Sequence, residues 1–191
     1  VNFEDAVFAR YYFQAYDAWH SGNQSAVPPA WKVALQAADQ KSVNGGTTFK
    51  PVFDKQPVQS IGAVTIDPKN SKVIWVGTGE SWTRNSVSIG DGVYKSTDGG
   101  ENWTNVGLKE TERIAKILVD PGDSNTVYGC APGKLWSDRE GRGLYKTTDG
   151  GKTWVKSLDW KVDGREIGVV DAVMDPRNPL VGVSRGRARE Q

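Results

Sequence analysis

The nine residues KSTDGGENW at 95–103 return as KTTDGGKTW at 146–154, and a looser copy, KSVNGGTTF, stands at 41–49. Each copy reads Ser or Thr, any residue, Asp or Asn, two glycines, two variable residues and an aromatic residue. The Asp or Asn side chain can accept backbone N–H bonds from the residues just after it, and the glycines supply the positive φ of a hairpin turn. We expect the aromatic residue to pack beneath its own turn. The structural positions that this motif predicts are Ser42, Asn44, Gly46, Phe49, Ser96, Asp98, Gly100, Trp103, Thr147, Asp149, Gly151 and Trp154.

A second repeat accompanies the first. Asp-Pro dipeptides recur at Asp67, Asp120 and Asp175, with spacings of 53 and 55 residues, and short strand-like segments flank each of them. A glycine-led strand, GVYKS or GLYKT, then enters the nine-residue motif. Four short strands in a period of roughly 50 residues are typical of a β-propeller blade. The sequence therefore predicts a mainly β fold, a partial β-propeller of four-stranded blades.

The repeats amount to two full blades and two half blades. Residues 58–107 and 112–160 each hold four strands, 41–54 hold the outer half of a blade, and 167–184 hold an inner half. Closed propellers take roughly four to eight blades. Two explanations remain open: the blades belong to a longer propeller, or the half blades of two copies complement each other. In the second case the partner is the chain itself, in a homodimer or other homo-oligomer, and a homodimer closes as a six-bladed ring.

Residues 1–40 differ in composition from the rest of the chain. They hold 8 of the 19 aromatic residues but one of the 22 glycines. Phe8, Tyr11 and Trp19 recur at the spacing of one helix face, and two prolines introduce a second short helix. We therefore predict a helical hairpin at 1–40, propeller blades at 41–184 and a basic tail at 185–191.

Charge and cysteine content exclude several classes of protein. The formal net charge of +1 argues against a nucleic-acid partner, and no apolar run approaches the ~20 residues of a membrane helix, so no membrane partner is expected. No basic start followed by an apolar core marks a signal peptide in these residues. The single cysteine, Cys130, excludes an internal disulfide and a cysteine-based metal cluster. The lone histidine, His20, has no second ligand beside it, so we predict neither a metal nor another cofactor.

Together with IDPKN at 66–70 and WVGTGES at 75–81, the nine-residue motifs resemble Asp-boxes, also called BNR repeats. Such repeats occur in sialidases, in oligoxyloglucan-directed glycoside hydrolases and in sortilin-type receptors. Residues 41 to about 178 are similar to the bacterial sortilin-like or glycoside-hydrolase-like propellers. The resemblance implies that the motif aspartates are structural and lie away from any active site. It also implies a secreted or periplasmic location.

The predicted topology puts function on one face of the blades. Connections of an up-and-down blade alternate between faces, so the Asp-Pro turns and the nine-residue motifs share one face. The longer loops, at 79–91, 107–113, 131–142 and 157–167, share the other. Their rings for stacking and their carboxylates for acid–base chemistry suit a sugar or peptide site. The candidate catalytic residues are Glu80, Asp138, Glu140 and Asp163, and the candidate ligand-binding residues are Trp82, Arg84, Trp136, Arg139, Trp160 and Arg165.

Two function classes follow, and we favour the first. A binding module for a glycan or peptide, as the sortilin resemblance implies, or an assembly scaffold would have no enzyme activity. The alternative is a glycoside hydrolase that uses two of the candidate carboxylates, as the glycoside-hydrolase resemblance implies. A remote alternative is a serine hydrolase, because GVSRG at 182–186 fits Gly-x-Ser-x-Gly around Ser184. No parallel α/β pattern surrounds this motif and the one histidine lies upstream, so we expect a chance match.

Overall fold

The computed structural model describes residues 40–41, 47–58, 60–81, 88–135, 141–158, 161–162, 164–175 and 178–187. The helical hairpin predicted at 1–40 lies outside the described residues, apart from residue 40. Ser42, Asn44 and Gly46 of the third motif copy also lie outside them. The chain forms two compact units, Val1–Lys55 and Gln56–Gln191.

The first unit contains a short antiparallel hairpin. Its strands are β1 (Gln40–Lys41) and β2 (Lys50–Pro51), and Lys41 stands opposite Lys50. The hairpin flanks the third copy of the nine-residue motif, whose aromatic residue, Phe49, is half-buried. A motif that encodes a turn is thus placed between two paired strands.

The second unit consists of antiparallel sheets. The strands of this unit are β3 (Ile61–Ile66), β4 (Ile74–Thr78), β5 (Val93–Ser96), β6 (Thr104–Asn105), β7 (Lys116–Val119), β8 (Val127–Ala131), β9 (Gly143–Thr147), β10 (Val155–Leu158), β11 (Lys161–Val162), β12 (Arg165–Glu166), β13 (Gly168–Asp175) and β14 (Asn178–Arg187). The first blade is β3-β4-β5-β6 and the second blade is β7-β8-β9-β10, each ordered as in the sequence. β13 pairs with β14, and β11 pairs with β12 in a small hairpin that the sequence did not predict. A single 3-10 turn, Lys109–Thr111, is the only helix within the described residues.

These sheets confirm the predicted fold class, a mainly β structure of four-stranded propeller blades. The two full blades form the two four-stranded sheets, and each predicted half blade forms a two-stranded sheet. β14 continues to Arg187, so the first residues of the segment predicted as a basic tail belong to a strand.

The inner strand pairs repeat one register. Val64 stands opposite Val76 in the first blade, and Ala172 stands opposite Ser184 in β13–β14. A bulge interrupts the pairing just before these positions in both sheets, between Ile61 and Ala63 and between Val169 and Asp171. Because the same residues of the repeat pair in the same way, positions can be equated from one blade to the next.

The core lies between the two full blades. It is a cluster of fully or nearly buried residues, namely Trp75, Val93, Ile114, Ile117, Val119, Val127 and Ala131. Burial of apolar side chains stabilises a fold by about 25 cal/mol for each Å² removed from water. A smaller cluster of Cys130, Val169 and Ala172 joins the second blade to β13. None of the described helical segments has the length and apolar character needed to cross a membrane.

Candidate functional site

The connections of the blades lie on two opposite faces, because consecutive connections of an antiparallel meander stand at opposite ends of its strands. The first face, called the turn face here, comprises 67–73, 97–103, 120–126 and 148–154. The two kinds of turn meet on this face: Gly99 N donates to Lys72 O at 2.8 Å, and Gly150 N donates to Asn125 O at 3.0 Å. The Asp-Pro turns and the nine-residue motifs therefore share one face.

The second face, called the link face here, comprises 79–81, 88–92, 106–115, 131–135, 141–142, 158, 161–162 and 164–167 among the described residues. Its loops are joined to the links between blades: Gly90 N donates to Glu112 O at 2.8 Å, and Ile114 N donates to Thr78 O at 3.0 Å. A Cβ on Gly90 would stand 2.3 Å from the backbone nitrogen of Gly79, so the backbone here packs too closely for any side chain. Glu80 and Arg165, the two candidate site residues that the structure describes, lie on this face.

On the turn face, Asp98 is fully engaged by its own turn. Its carboxylate accepts hydrogen bonds from the backbone N–H groups of Glu101 and Asn102, at 3.0 and 2.9 Å, and from the Ser96 hydroxyl at 2.8 Å. Gly100 N in turn donates to Ser96 Oγ at 2.8 Å. The Asn102 backbone bond, followed by the Asn102 and Ser96 side chains, holds the pKa of Asp98 well below its ordinary value.

Asp149 repeats this arrangement in the second blade. Its carboxylate accepts bonds from the Thr153 hydroxyl at 2.6 Å, the Thr153 backbone N–H at 2.9 Å and the Thr147 hydroxyl at 2.7 Å. These bonds, led by the Thr153 side chain, lower the pKa of Asp149. A carboxylate held ionised in this way is unsuited to donate a proton as a general acid. The turn face thus offers structural carboxylates and not acid–base groups.

The aromatic residue of the motif in the second blade makes a contact beyond the one expected. Trp154 does not serve only its own turn: its Nε1 donates to Val106 O of the first blade at 2.8 Å. Its ring meets Trp75 edge-on, with centroids 6.4 Å apart and an interplanar angle of 87°. The expectation that the ring packs beneath its own turn missed this contact, because the partner belongs to the preceding blade.

Two of the ten candidate site residues lie within the described residues. Glu80 stands at the base of the β4–β5 loop, where its Oε2 accepts a bond from Ser88 N and its own N–H donates to Ser88 O, both at 3.0 Å. Arg165 lies exposed on β12, opposite Val162. The other eight candidates lie outside the described residues, namely Trp82, Arg84, Trp136, Asp138, Arg139, Glu140, Trp160 and Asp163.

A buried arginine that the sequence did not single out lies on the link face. Arg113 is 3% exposed, and its Nη1 donates to Gly133 O in the β8–β9 loop at 3.0 Å. Burial lowers the pKa of Arg113, while the nearby Glu112 and Glu80 carboxylates raise it and Arg142 lowers it further. An arginine keeps its charge in proteins under such conditions. Arg113 therefore fixes a positive charge near Glu80 and ties the link to the next blade.

A second arginine, Arg142, bonds to the β8–β9 loop and to the connection between the second blade and β13. Arg142 donates from Nη2 to Lys134 O at 2.8 Å and from Nη1 to Glu166 O at 3.5 Å. The Glu166 carboxylate also forms an ion pair with Lys156, at 2.8 Å between Oε1 and Nζ. The sequence signal for both arginines is weak, because a charged residue beside a polar link has the pattern of a solvated loop.

A third polar group stands at the start of β5. The Tyr94 hydroxyl donates to Asp91 Oδ2 at 2.6 Å, and Asp91 N donates to Thr78 Oγ1 at 2.9 Å. Burial, together with the bond to Asp91, raises the pKa of Tyr94. Carboxylates of Glu80, Asp91 and Glu166 thus lie on the link face together with the guanidinium groups of Arg113 and Arg142.

Within the described residues, the geometry shows neither a metal-binding cluster nor the turn that a serine nucleophile needs. Among the described residues, no three His, Cys, Asp or Glu side chains come together in a way that could hold a metal ion. Ser184 lies in the middle of β14, where it stands opposite Ala172 in a regular antiparallel pair. A nucleophilic serine of the Gly-x-Ser-x-Gly type needs a sharp turn from a strand into a helix. The strand around Ser184 does not have that turn.

The comparisons with known proteins give a family match at the N-terminal end and relatives that match longer stretches of the chain. Residues 1–47 match the model of a family of unknown function, DUF5995. The chain is 30% identical over 118 residues to a xyloglucanase of Hypocrea jecorina, which covers 56% of this chain and 13% of that protein. It is 33% identical over 98 residues to a probable oligoxyloglucan-reducing end-specific xyloglucanase of Neosartorya fischeri, which covers 48% of this chain and 10% of that protein.

A solved structure agrees at the level of fold. The crystal structure of a GH74 enzyme from Niastella koreensis superposes with a TM-score of 0.51 at 24% identity, covering 73% of this chain and 20% of that one. The chain therefore spans only a small part of the length of the proteins that it resembles. The predicted resemblance is confirmed in its coarser form: the blades are similar to those of glycoside-hydrolase propellers. These similarities favour the glycoside-hydrolase alternative over the binding module that we preferred from the sequence.

Proposed function

We propose that the blades are a segment of a xyloglucan-directed glycoside-hydrolase propeller, with the link face turned toward the glycan. The observation that carries this proposal is the 30% identity over 118 residues to the Hypocrea jecorina xyloglucanase, in a chain whose strands form propeller blades. The identity extends over more than one blade period of roughly 50 residues, which a shared turn motif alone does not explain.

The chemistry of the two faces supports this orientation. The carboxylates of Asp98 and Asp149 are taken up by hydrogen bonds within their own turns. On the link face, the Glu80 carboxylate accepts a bond from Ser88 N at the base of its loop, and it also lies near the buried guanidinium of Arg113. A carboxylate held near a fixed cation on a polar face suits the binding and polarisation of sugar hydroxyl groups.

Glycoside hydrolysis generally needs two carboxyl groups on opposite sides of the scissile bond. Among the candidate carboxylates, Glu80 is the one whose contacts the structure describes. Its counterpart in this proposal is one of the loop carboxylates predicted from the sequence, Asp138, Glu140 or Asp163. The aromatic residues predicted in the same loops, Trp82 and Trp136, would stack on the sugar rings.

The test is an incubation of the chain with xyloglucan, in which reducing-end release and retardation in a xyloglucan-containing native gel are measured together. We expect both signals, and we expect Glu80→Gln to lower release by about 100-fold or more, the effect typical of losing an acid–base group. Glu101→Gln, on the turn face, is the matched control and should leave both signals unchanged. Retardation without release would contradict the hydrolase and favour a binding module, and the absence of both would overturn the proposal.

A further inference from the structure

The link between the two full blades packs against the base of the loop that contains Glu80. Glu112 O accepts a bond from Gly90 N at 2.8 Å, and a Cβ on Gly79 would lie 2.1 Å from the same oxygen. Gly79 directly precedes Glu80, and the same Cβ would lie 3.0 Å from Cα and 3.1 Å from Cγ of Arg113. Arg113 therefore packs closely against the residue that precedes Glu80.

The guanidinium of Arg113 reaches a second loop base, that of the β8–β9 loop. Its Nη1 donates to Gly133 O at 3.0 Å, and Arg142 donates to the next carbonyl oxygen, Lys134 O, at 2.8 Å. The stem of Arg142 also packs on Gly133, where a Cβ would lie 2.2 Å from Cγ of Arg142. Arg113 thus lies between the base of the β4–β5 loop, with Glu80, and the base of the β8–β9 loop.

The backbone of the link is strained immediately before Arg113. Leu108 has a φ of +58° and Glu112 a φ of +57°, and they are the only non-glycine residues with a positive φ in the part of the chain that the structure describes. Such conformations cost free energy and persist where the surrounding contacts determine them, which is common at functional sites. The left-handed turn at Glu112 sets the direction in which the Arg113 side chain leaves the link.

Arg113 is a costly residue for a position that serves stability alone. Its side chain is nearly fully buried, at 3% exposed, and its Nε has no hydrogen-bond partner within the described residues. A buried charge with incomplete hydrogen bonding lowers stability, and well-packed apolar side chains often replace buried charges without loss. Positions that violate such rules are expected at functional sites. The guanidinium therefore points to a purpose beyond holding the link in place.

The charges around Arg113 indicate what this purpose is. The carboxylates of Glu112 and Glu80 are both close enough to act electrostatically on its guanidinium, and Arg142 acts in the opposite sense. A cation on a rigid segment restricts the positions that a neighbouring carboxylate can take. Catalytic groups need support of this kind, because a displacement of about 1 Å can cost about 100-fold in rate.

We infer that Arg113 is a positioning residue of the proposed glycan site, where it keeps the loop base with Glu80 and the base of the β8–β9 loop at a fixed spacing. The inference rests on the proposed function, because it concerns the same face and the same carboxylate. Arg113 is too deeply buried to contact the glycan itself. Loss of its guanidinium should therefore lower the turnover of bound substrate more than the binding of substrate.

Steady-state kinetics of xyloglucan hydrolysis by the 191-residue chain test this inference in Arg113→Met, which removes the charge and the bond to Gly133 O. We expect kcat to fall at least about tenfold and KM to change less than about threefold. Lys95→Met is the matched control, because Lys95 also donates to a backbone carbonyl of the next blade, Gly150 O at 3.0 Å, but at the turn face. The control should leave kcat and KM of the folded chain unchanged.

Arg113→Lys separates the charge from the shape of the side chain, because lysine keeps the cation but lacks the planar fork. Its kcat should lie at least about threefold below that of the parent and above that of Arg113→Met, and it decides the outcome if Arg113→Met does not fold. Parent values of kcat in the Arg113 variants, a loss no larger than that of Lys95→Met, or a loss confined to KM would overturn the inference and leave the proposed function standing. A parent chain that releases no reducing ends would overturn the proposed function, and the inference with it.

Hydrogen exchange of backbone amides tests whether Arg113 acts through the loop base. The Ser88 amide, which donates to Glu80 Oε2, should exchange at least about tenfold faster in Arg113→Met and Arg113→Lys than in the parent. The amides of Gly99 and Gly150, which are bonded on the turn face, are the internal reference and should exchange at unchanged rates. An unchanged rate at Ser88, or an equal acceleration at all three amides, would contradict positioning through this loop.

Discussion

The indole nitrogen of Trp154 in the second blade donates a hydrogen bond to the carbonyl oxygen of Val106 in the first, at 2.8 Å. The two residues are 48 positions apart in the sequence. The aromatic residue of the nine-residue motif thus couples one blade to the one before it, while the rest of the motif holds its own turn. One motif therefore holds its own turn and also forms a contact with the preceding blade.

Trp154→Phe tests this bond apart from the ring. The substitution removes the indole N–H and leaves Val106 O without this donor, so we expect the free energy of unfolding to fall by about 1 kcal/mol. Trp154→Ala also removes the ring from the cluster around Trp75 and should cost about 3 kcal/mol, the low end for a large aromatic residue, since Trp154 is half-buried. Urea unfolding followed by circular dichroism measures both. Equal losses in the two variants would show that the ring contributes little.

Gly151→Ala tests how closely the second blade approaches the first. Gly151 has a φ of +96°, and a Cβ there would lie 3.1 Å from two ring atoms of the fully buried Trp75. Gly164→Ala is the matched control, since Gly164 has a φ of +76° and no described atom within 4 Å of a Cβ. The control should lose about 1 kcal/mol from left-handed backbone strain alone. Gly151→Ala should lose at least about 1 kcal/mol more from overpacking, measured by urea unfolding.

The pH dependence of stability tests the two turn carboxylates. The pKa values of Asp98 and Asp149 are lower in the folded chain than in the unfolded chain, whose value is about 3.9. Their contribution to stability is therefore complete above about pH 4 and is lost as the pH falls through the folded-state pKa values. An Asp98→Asn, Asp149→Asn double variant should have a Tm a few degrees below the parent at pH 7. The difference should shrink as the pH is lowered below about 4, and a constant difference down to pH 2 would contradict this account.

The reactivity of Cys130 reports on the junction between the second blade and β13. Burial raises the pKa of the Cys130 thiol to about 12, with a smaller upward effect of Asp171 and an opposing effect of Lys116. Only the thiolate attacks a disulfide reagent, so labelling at pH 8 should be at least about 1000-fold slower in the native chain than in denaturant. Rapid labelling of the native chain would show that β13 opens away from the second blade.

Much of the fold can be predicted because the residues that specify each turn lie close together in the sequence. The glycines and the aspartate of each nine-residue motif specify a hairpin within a few residues, and the period near 50 residues counts the blades. The partners of Trp154 and the burial of Arg113 are not predictable in this way. Both depend on the neighbouring blade, since Val106 O and Gly133 O are supplied by segments 48 and 20 residues away. An arginine within the polar link KETERIAK has the pattern of a solvated residue until the next blade covers it.

The sequence predicts on which face of the blades the candidate residues lie, but not how they contact each other. Alternation of connections in a meander separates the turn face from the link face, and this assigns Glu80 and Asp98 to different faces without any structure. The bond from Ser88 N to Glu80 Oε2, in contrast, depends on how the β4–β5 loop returns to its base. Sequence patterns that mark exposed rings and charges do not specify such loop closures.

Chemical-shift mapping of the ¹⁵N-labelled chain, titrated with a xyloglucan oligosaccharide, tests the central claim most directly. We predict that the backbone amide signals of Glu80, Gly90 and Arg142 on the link face will shift with saturation. Those of Gly100 and Gly151 on the turn face should remain in place, and an oligosaccharide of unsubstituted glucose units should shift the link-face signals less at equal concentration. Saturable shifts confined to the turn face, or no shifts at millimolar oligosaccharide, would contradict a glycan site on the link face.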